Sequence, residues 1–251
     1  MLAPRKFSIL DIADALRTGW YVFRSMPATS MAYATLFVLI GLVLLMALGR
    51  FGISPMALPF AGGFMLVGPA LLTGFFRLSA IRAEAGDPRL MDAITALVRA
   101  PAGLWLLALI CSFLFLIWIT DAAVLYVVMI GVEHLPYDLS WFVERQDDLV
   151  AFELWAAVMG SALALIIFAV SAFSVPLLHE GRANPVAAVH ASVRAVFGSL
   201  VGSVAWGLVL TGATVLAIAL LPLLTVVLPV LSYASLALYR KVFPAVETGT
   251  A

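Results

Sequence analysis

The stretch AFSVPLLHEGRANPVAAVHASVRAVFGSLVGSVAWG, residues 172–207, decides the fold. It closes one apolar run, turns through a polar loop, makes a short amphipathic segment and enters a second apolar run. Asn184 followed by Pro185 predicts a helix start there. The asparagine oxygen can accept from an unpaired N–H of the first turn, and proline at the first helical position loses no hydrogen bond. Val186, Val189, Val193, Val196 and Phe197 then fall on one face, with His190 and Arg194 away from it. A helix this short is marginal in water. At a bilayer surface it has a place, with its apolar side in the acyl boundary and Arg194 among the headgroups.

The rest of the chain supplies that bilayer. Of the 251 residues, 64% are hydrophobic and 11% charged, where soluble domains carry about 25% charged. Six apolar runs, at about 29–49, 56–78, 102–132, 150–178, 197–220 and 223–243, reach the length that crosses a hydrocarbon core, about 20 residues. The third is long enough to tilt. The fifth and sixth meet near Pro222 without a charge between them. The expected fold is therefore all-α: a polytopic membrane protein, residues 1–251 in one domain, with six transmembrane helices. Three interfacial helices accompany them, at 8–24, 88–99 and 185–196. Ser8 and Asp11 form a capping box for the first, and Trp20 and Tyr21 suit the headgroup level. Asp87-Pro88 is expected to cap the second, whose apolar residues are Leu90, Met91, Ile94, Leu97 and Val98. Asp11 and Asp14 interrupt any signal-peptide apolar core, so none is expected. The single cysteine, Cys111, excludes an internal disulfide.

Lys plus Arg equals Asp plus Glu, 14 each, yet the charges are sorted. Arg5, Lys6, Arg17, Arg24, Arg77, Arg82, Arg89, Arg99, Arg182, Arg194, Arg240 and Lys241 fall on one side of the six runs, and only Arg50 and Arg145 on the other. The opposite side also holds an acidic segment at 133–153. The positive-inside rule then puts both termini in the cytoplasm.

The plan of the opening stretch recurs. DALR at 14–17, ALVR at 96–99 and ASVR at 191–194 mark the surface helices, and Pro69, Pro176 and Pro229 lie inside the second span of each pair. Each proline frees the carbonyl four residues back and kinks its helix. Units of about 8–83, 84–181 and 182–243 would form a parallel three-fold repeat, because each begins and ends on one side.

Three segments carry a family resemblance: SVPLLHEGRANPVAAVHASVRAV at 174–196, ALRTGWYVFRSMPATSMAY at 15–33 and FMLVGPALLTGFFRLS at 64–79. Together they resemble the bacterial integral membrane family catalogued as domain of unknown function 2189. The resemblance implies a six-span inner-membrane protein and brings with it no catalytic residue.

Candidate chemistry is sparse. Asp121, in LIWITDAAVLY, is the one ionisable residue well inside an apolar run. It is either a proton or cation site, or a structural residue that is protonated, bonded to a neighbouring helix or near enough to the exterior interface to be wet; it is expected to face protein and not lipid. His134, His179 and His190 lie outside the runs, which argues against axial haem ligation. His179-Glu180 lacks a third metal ligand and reads as a solvated loop. Ala156, Gly160 and Ala164, and Gly198 with Gly202, make small-residue strips for close helix packing. No phosphate-binding glycine loop, nucleophile elbow or zinc spacing occurs. The basic residues sit at bilayer borders as topology requires, so no nucleic-acid partner is expected. Catalytic residues, cofactor and metal are all expected to be absent. Two readings follow: a non-enzymatic accessory, assembly or scaffold protein whose partners are the lipid bilayer and another membrane protein, or a small-solute or ion transporter or channel lined by Asp121 and the proline-freed carbonyls.

Overall fold

The computed structural model describes residues 3–50, 57–129 and 146–244. Residues 51–56 and most of the acidic segment, with Glu133, His134, Asp138, Glu144 and Arg145, lie outside the described residues. The described chain is helical: α1 (Ile9–Ser25), α2 (Pro27–Arg50), α3 (Ala57–Ala83), α4 (Leu90–Val98), α5 (Ala102–Met129), α6 (Gln146–Ser171), α7 (Ser174–His179), α8 (Pro185–Gly198), α9 (Leu200–Ala219) and α10 (Leu224–Val242), with a 3-10 turn at Leu221–Leu223. Among the described residues two helices are long and apolar enough to cross a membrane, Ala102–Met129 and Val158–His179, and up to four if each bent pair counts as one span. α10 falls outside that set.

The bent pairs carry the architecture. α1 meets α2 at 100°, and α8 meets α9 at 103°. The hinge residues have nearly the same backbone: Met26 at φ −151°, ψ 55° and Ser199 at φ −136°, ψ 53°. Each hinge N–H bonds the carbonyl three residues back, Phe23 and Val196 respectively. One short helix and one long helix therefore leave each hinge at about a right angle.

Local capping follows the sequence at two of three starts. The Asn184 oxygen accepts from the Ala187 N–H at 2.8 Å, with Pro185 at the first position. Both the N–H and the hydroxyl of Ser8 donate to Asp11 Oδ2, at 2.9 and 3.0 Å. At α4 the expectation is corrected. The helix opens after Arg89, whose N–H bonds Asp92 Oδ2 at 2.8 Å. Pro88 instead lends its carbonyl to Thr29 Oγ1 at 3.2 Å.

The apolar face of α8, expected in the acyl boundary, is divided between exterior and core. Ala188, Ala191, Ser192, Ala195 and Val196 are buried, while Val186 and Phe197 are exposed. Small side chains let the helix backbone come close to α6 and α7, and Val189 and Val193 pack partly buried against the same core. The reason lies at Pro176. With no N–H there, the helix parts at Ala172–Phe173. Ser192 fills the gap: its Oγ accepts from the Phe173 N–H at 3.1 Å and donates to the Ala169 carbonyl at 2.7 Å. One hydroxyl thus replaces the hydrogen bond that an unbroken helix would make between those groups. Pro69 and Pro229 sit inside continuous helices, so only one of the three proline kinks becomes a break.

Each short helix docks on a proline-bearing helix. α4 reaches α3, where Thr73 Oγ1 donates to the Ala96 carbonyl at 3.2 Å. α8 reaches α6 and α7 through Ser192. α1 lies antiparallel to α10: a Cβ on Gly19 would stand 2.6 Å from the Val230 carbonyl oxygen and 2.7 Å from the Ala234 nitrogen. Two buried clusters fill the interior. One gathers Tyr33, Phe37, Phe75 and Tyr233, and the other Phe7, Phe173, Leu177, Tyr239 and Phe243. Tyr33 Oη bonds the Leu71 carbonyl at 3.1 Å, and Tyr233 Oη and Ser30 Oγ lie 2.7 Å apart. Large apolar side chains cover the outside of the long helices, among them Leu109, Phe113 and Leu116 on α5 and Val201, Val204 and Leu208 on α9.

Ser192→Ala should strand the Phe173 N–H and the Ala169 carbonyl, at a cost of about 1–3 kcal/mol for each buried group left unpaired. Thermal unfolding in mild detergent checks this. Ser192→Thr, which keeps the hydroxyl, should lose less, and Ser192→Ala at wild-type stability would refute the bridging role.

Candidate functional site: a polar clamp at the helix ends

The densest described polar cluster forms where α7 ends and α10 ends. α7 closes at His179, and Gly181 follows at φ +65°, a left-handed conformation that glycine takes without steric cost. The Gly181 and Arg182 N–H groups return to the carbonyls of Leu178 and Leu177 at 3.2 and 3.0 Å. This tight reversal aims Arg182 at the last turn of α10.

The Arg182 guanidinium then makes three bonds. Nη1 donates to Tyr239 Oη at 2.9 Å and to the Phe243 carbonyl at 2.7 Å, and Nη2 donates to the Pro244 carbonyl at 3.0 Å. A cation here satisfies unpaired carbonyls at a helix C-terminus, where the helix dipole also favours positive charge. Tyr239 Oη donates onward to Glu180 Oε2 at 2.8 Å. Glu180 Oε1 lies 3.6 Å from Arg240 Nε, and its Oε2 lies 3.8 Å from Arg182 Nη1. The His179 ring packs edge-on against Phe76, with centroids 5.3 Å apart. His179-Glu180 is accordingly a fixed part of the packing, which corrects the solvated-loop expectation.

A second tether lies beside it. Lys241 Nζ bonds Asp14 Oδ2 at 3.1 Å and Asp11 Oδ1 at 3.3 Å, and the Arg5 N–H bonds the Val242 carbonyl at 2.9 Å. The backbone N–H of Ser8, then its hydroxyl, and the Lys241 ammonium hold the Asp11 carboxyl below the usual carboxylate range. Phe7 completes the seam: its N–H bonds Ser199 Oγ at 3.1 Å, and its ring meets Phe173 edge-on at 5.8 Å.

Chemically the cluster binds the protein to itself. Glu180, Arg182, Tyr239 and Arg240 are all engaged with one another or with backbone carbonyls. Among the described residues no group of three or more His, Cys, Asp and Glu side chains could hold a metal ion.

The other sequence-selected residues are scattered. Asp121 is exposed on α5, with no partner among the described residues, so the expectation that it turns toward other helices is not met there. It is also remote from the break at Pro176. Leu178 and Pro185 lie against Gly103, near the start of α5, and Asp121 is eighteen residues further on, about 27 Å by helical rise. Gly160 does make a close helix contact, with Trp118 Nε1 2.9 Å from where its Cβ would be. Ala164 is exposed, and the Ala156 side chain lies outside the described residues. Gly202 faces the Phe7 backbone, its added Cβ 2.8 Å from that carbonyl oxygen, and Gly198 faces open space. The second strip therefore seats the N-terminal segment and no spanning helix. Sequence reasoning did not single out Arg182 and Tyr239. Their signal was a glycine just after an apolar run, and a tyrosine one residue before the closing Arg-Lys pair.

The family model described as "Predicted integral membrane protein (DUF2189)" matches residues 57–180, about half of the chain. The protein belongs to that family of integral membrane proteins through this stretch. Of the three segments that carried the resemblance, 64–79 lies inside the match, 174–196 enters it only through its first residues, and 15–33 lies before it. No curated protein and no solved structure matches the chain.

Arg182→Ala should free the Phe243 and Pro244 carbonyls and destabilise the protein by about 1.5–3 kcal/mol, the range for a hydrogen bond to a charged group. Arg182→Lys should restore only part of this, because an ammonium cannot reproduce the guanidinium fork. Equal thermal stability of Arg182→Ala and the parent in detergent would contradict the clamp.

Proposed function

We propose that this protein is a non-enzymatic scaffold or accessory component of the bacterial inner membrane, working through helix–helix and lipid contacts. The observation that carries this reading is the fate of its polar residues. Glu180, Arg182, Tyr239, Arg240, Lys241 and Asp11 are committed to joining helix ends. The long helices meanwhile present leucine, valine and phenylalanine outward, the surface a membrane protein offers to acyl chains or to another spanning helix.

In this reading the membrane is crossed six times, by α2, α3, α5, α6 with α7, α9 and α10, with both termini cytoplasmic. The 12-to-2 distribution of basic residues supports that orientation, and the two right-angle hinges support short helices lying along the interface. α10 would cross at a tilt, because its second half lies along α1. A transport path through Asp121 gains no support from its exposed position.

Two measurements test this. Cysteines placed at 133–148 should react with an impermeant thiol reagent in spheroplasts, and cysteines at the N-terminus should not; the reverse pattern would overturn the orientation. Purification in mild detergent should bring down a stoichiometric membrane partner. Recovery of the protein alone together with proton- or ion-driven uptake in liposomes would overturn the scaffold reading.

A further inference from the structure

Each short helix docks on the proline-bearing helix of the unit before it: α4 on α3, and α8 on α6 and α7. α1 of the first unit docks on α10 of the last unit. The docking points lie near the prolines, after Pro69 and Pro229 but before Pro176. Thr73 follows Pro69 by four residues, Phe173 precedes Pro176 by three, and Val230 and Ala234 follow Pro229 by one and five.

The hinges define the repeat better than the sequence does. Aligning Met26 with Ser199 pairs Ala15 with Ala188, Gly19 with Ser192 and Phe23 with Val196, all of them buried. In that register DALR at 14–17 stands opposite residues 187–190, four residues short of ASVR. The ALR/SVR likeness is therefore one helical turn out of step with the structure.

We propose that the three short helices form a closed, quasi-three-fold collar, and that α1 is the strap that closes it by joining the first unit to the last. This rests on the three-unit reading above and adds to it that the ring is complete within one chain. The closing contact has three independent parts: the backbone approach at Gly19, the Lys241 tether to Asp11 and Asp14, and the Arg5 N–H on the Val242 carbonyl. The spans beneath are less symmetric. α2 packs on α10 and α5 on α3, whereas α9 packs chiefly on α10, α1 and α8. The collar, and not the spans, carries the near-symmetry.

The test uses the full chain with Cys111→Ser, Asp14→Cys and Lys241→Cys, treated in membranes with a short bis-maleimide. A link within one chain, retained at high dilution of the protein in lipid, is expected. Linking only between two chains, or none, overturns closure. Adding Gly19→Leu should cut the yield of the intrachain link several-fold, whereas Gly212→Leu should not, since a Cβ at Gly212 meets nothing within 4 Å. Equal yields in the two variants would overturn the role of the backbone approach. A circular permutant gives the second arm. It begins at Asp87, ends at Gly86, and joins Pro244 to Ala3 by a flexible linker. It should insert and remain monodisperse; failure to do so while the parent chain bearing the same terminal extensions folds would also overturn closure. If instead the proposed orientation is wrong and the collar is right, the intrachain link forms while the thiol-accessibility pattern at 133–148 inverts.

Discussion

At Gly19 the backbones of α1 and α10 come so close that a single added carbon would stand 2.6 Å from the Val230 carbonyl oxygen. Most of the well-packed half of the molecule follows from contacts of this kind. Apolar helices in lipid gain little by burying leucine against leucine, because the acyl chains are equally apolar. Association must come from close packing and from hydrogen bonds that lipid cannot supply. The short helices turn small residues inward, Ala15 and Gly19 on α1 and Ala188, Ala191, Ser192 and Ala195 on α8, beside the larger Ile12, Phe23 and Val196. Bulkier residues such as Tyr21, Val186 and Phe197 face out.

Hydroxyl groups do for the backbone what water does in a soluble protein. Ser192 bridges the break left by Pro176, Tyr33 takes the Leu71 carbonyl, and Ser199 receives the Phe7 N–H. Arg182 closes the end of α10 in the same spirit, covering the carbonyls of Phe243 and Pro244. Each is a local answer to the requirement that buried backbone polar groups be paired.

Much of this was legible in residue order. Helix class follows from long apolar runs, the α8 start from Asn184-Pro185, and membership of the membrane family from motifs such as residues 64–79. Periodicity read α8 only in part. It placed the valine face in the acyl boundary, but Val196 is buried and Val189 and Val193 pack partly against the core, beside the alanines and Ser192. Asp121 drew attention because an isolated carboxylate in an apolar run is costly, yet composition does not say which side of a helix meets a neighbour. The clamp stayed hidden because Glu180 and Arg182 are ordinary loop residues until chain reversal at Gly181 sets them against Tyr239, 57 positions from Arg182. Three basic tetrapeptides suggested a repeat, but aligning the Met26 and Ser199 hinges sets DALR at 14–17 four residues short of ASVR.

The most direct test of the account is the depth of α1 in the bilayer. Spin labels at Ile9, Leu10, Trp20 and Tyr21, all exposed along α1, can be compared by their accessibility to oxygen and to a polar nickel complex. If α1 lies along the interface and turns through its 100° hinge into α2, the four sites share one shallow depth. A depth that increases steadily from Ile9 to Tyr21 would mean that α1 enters the membrane as part of a span, and the docked-collar architecture would be wrong.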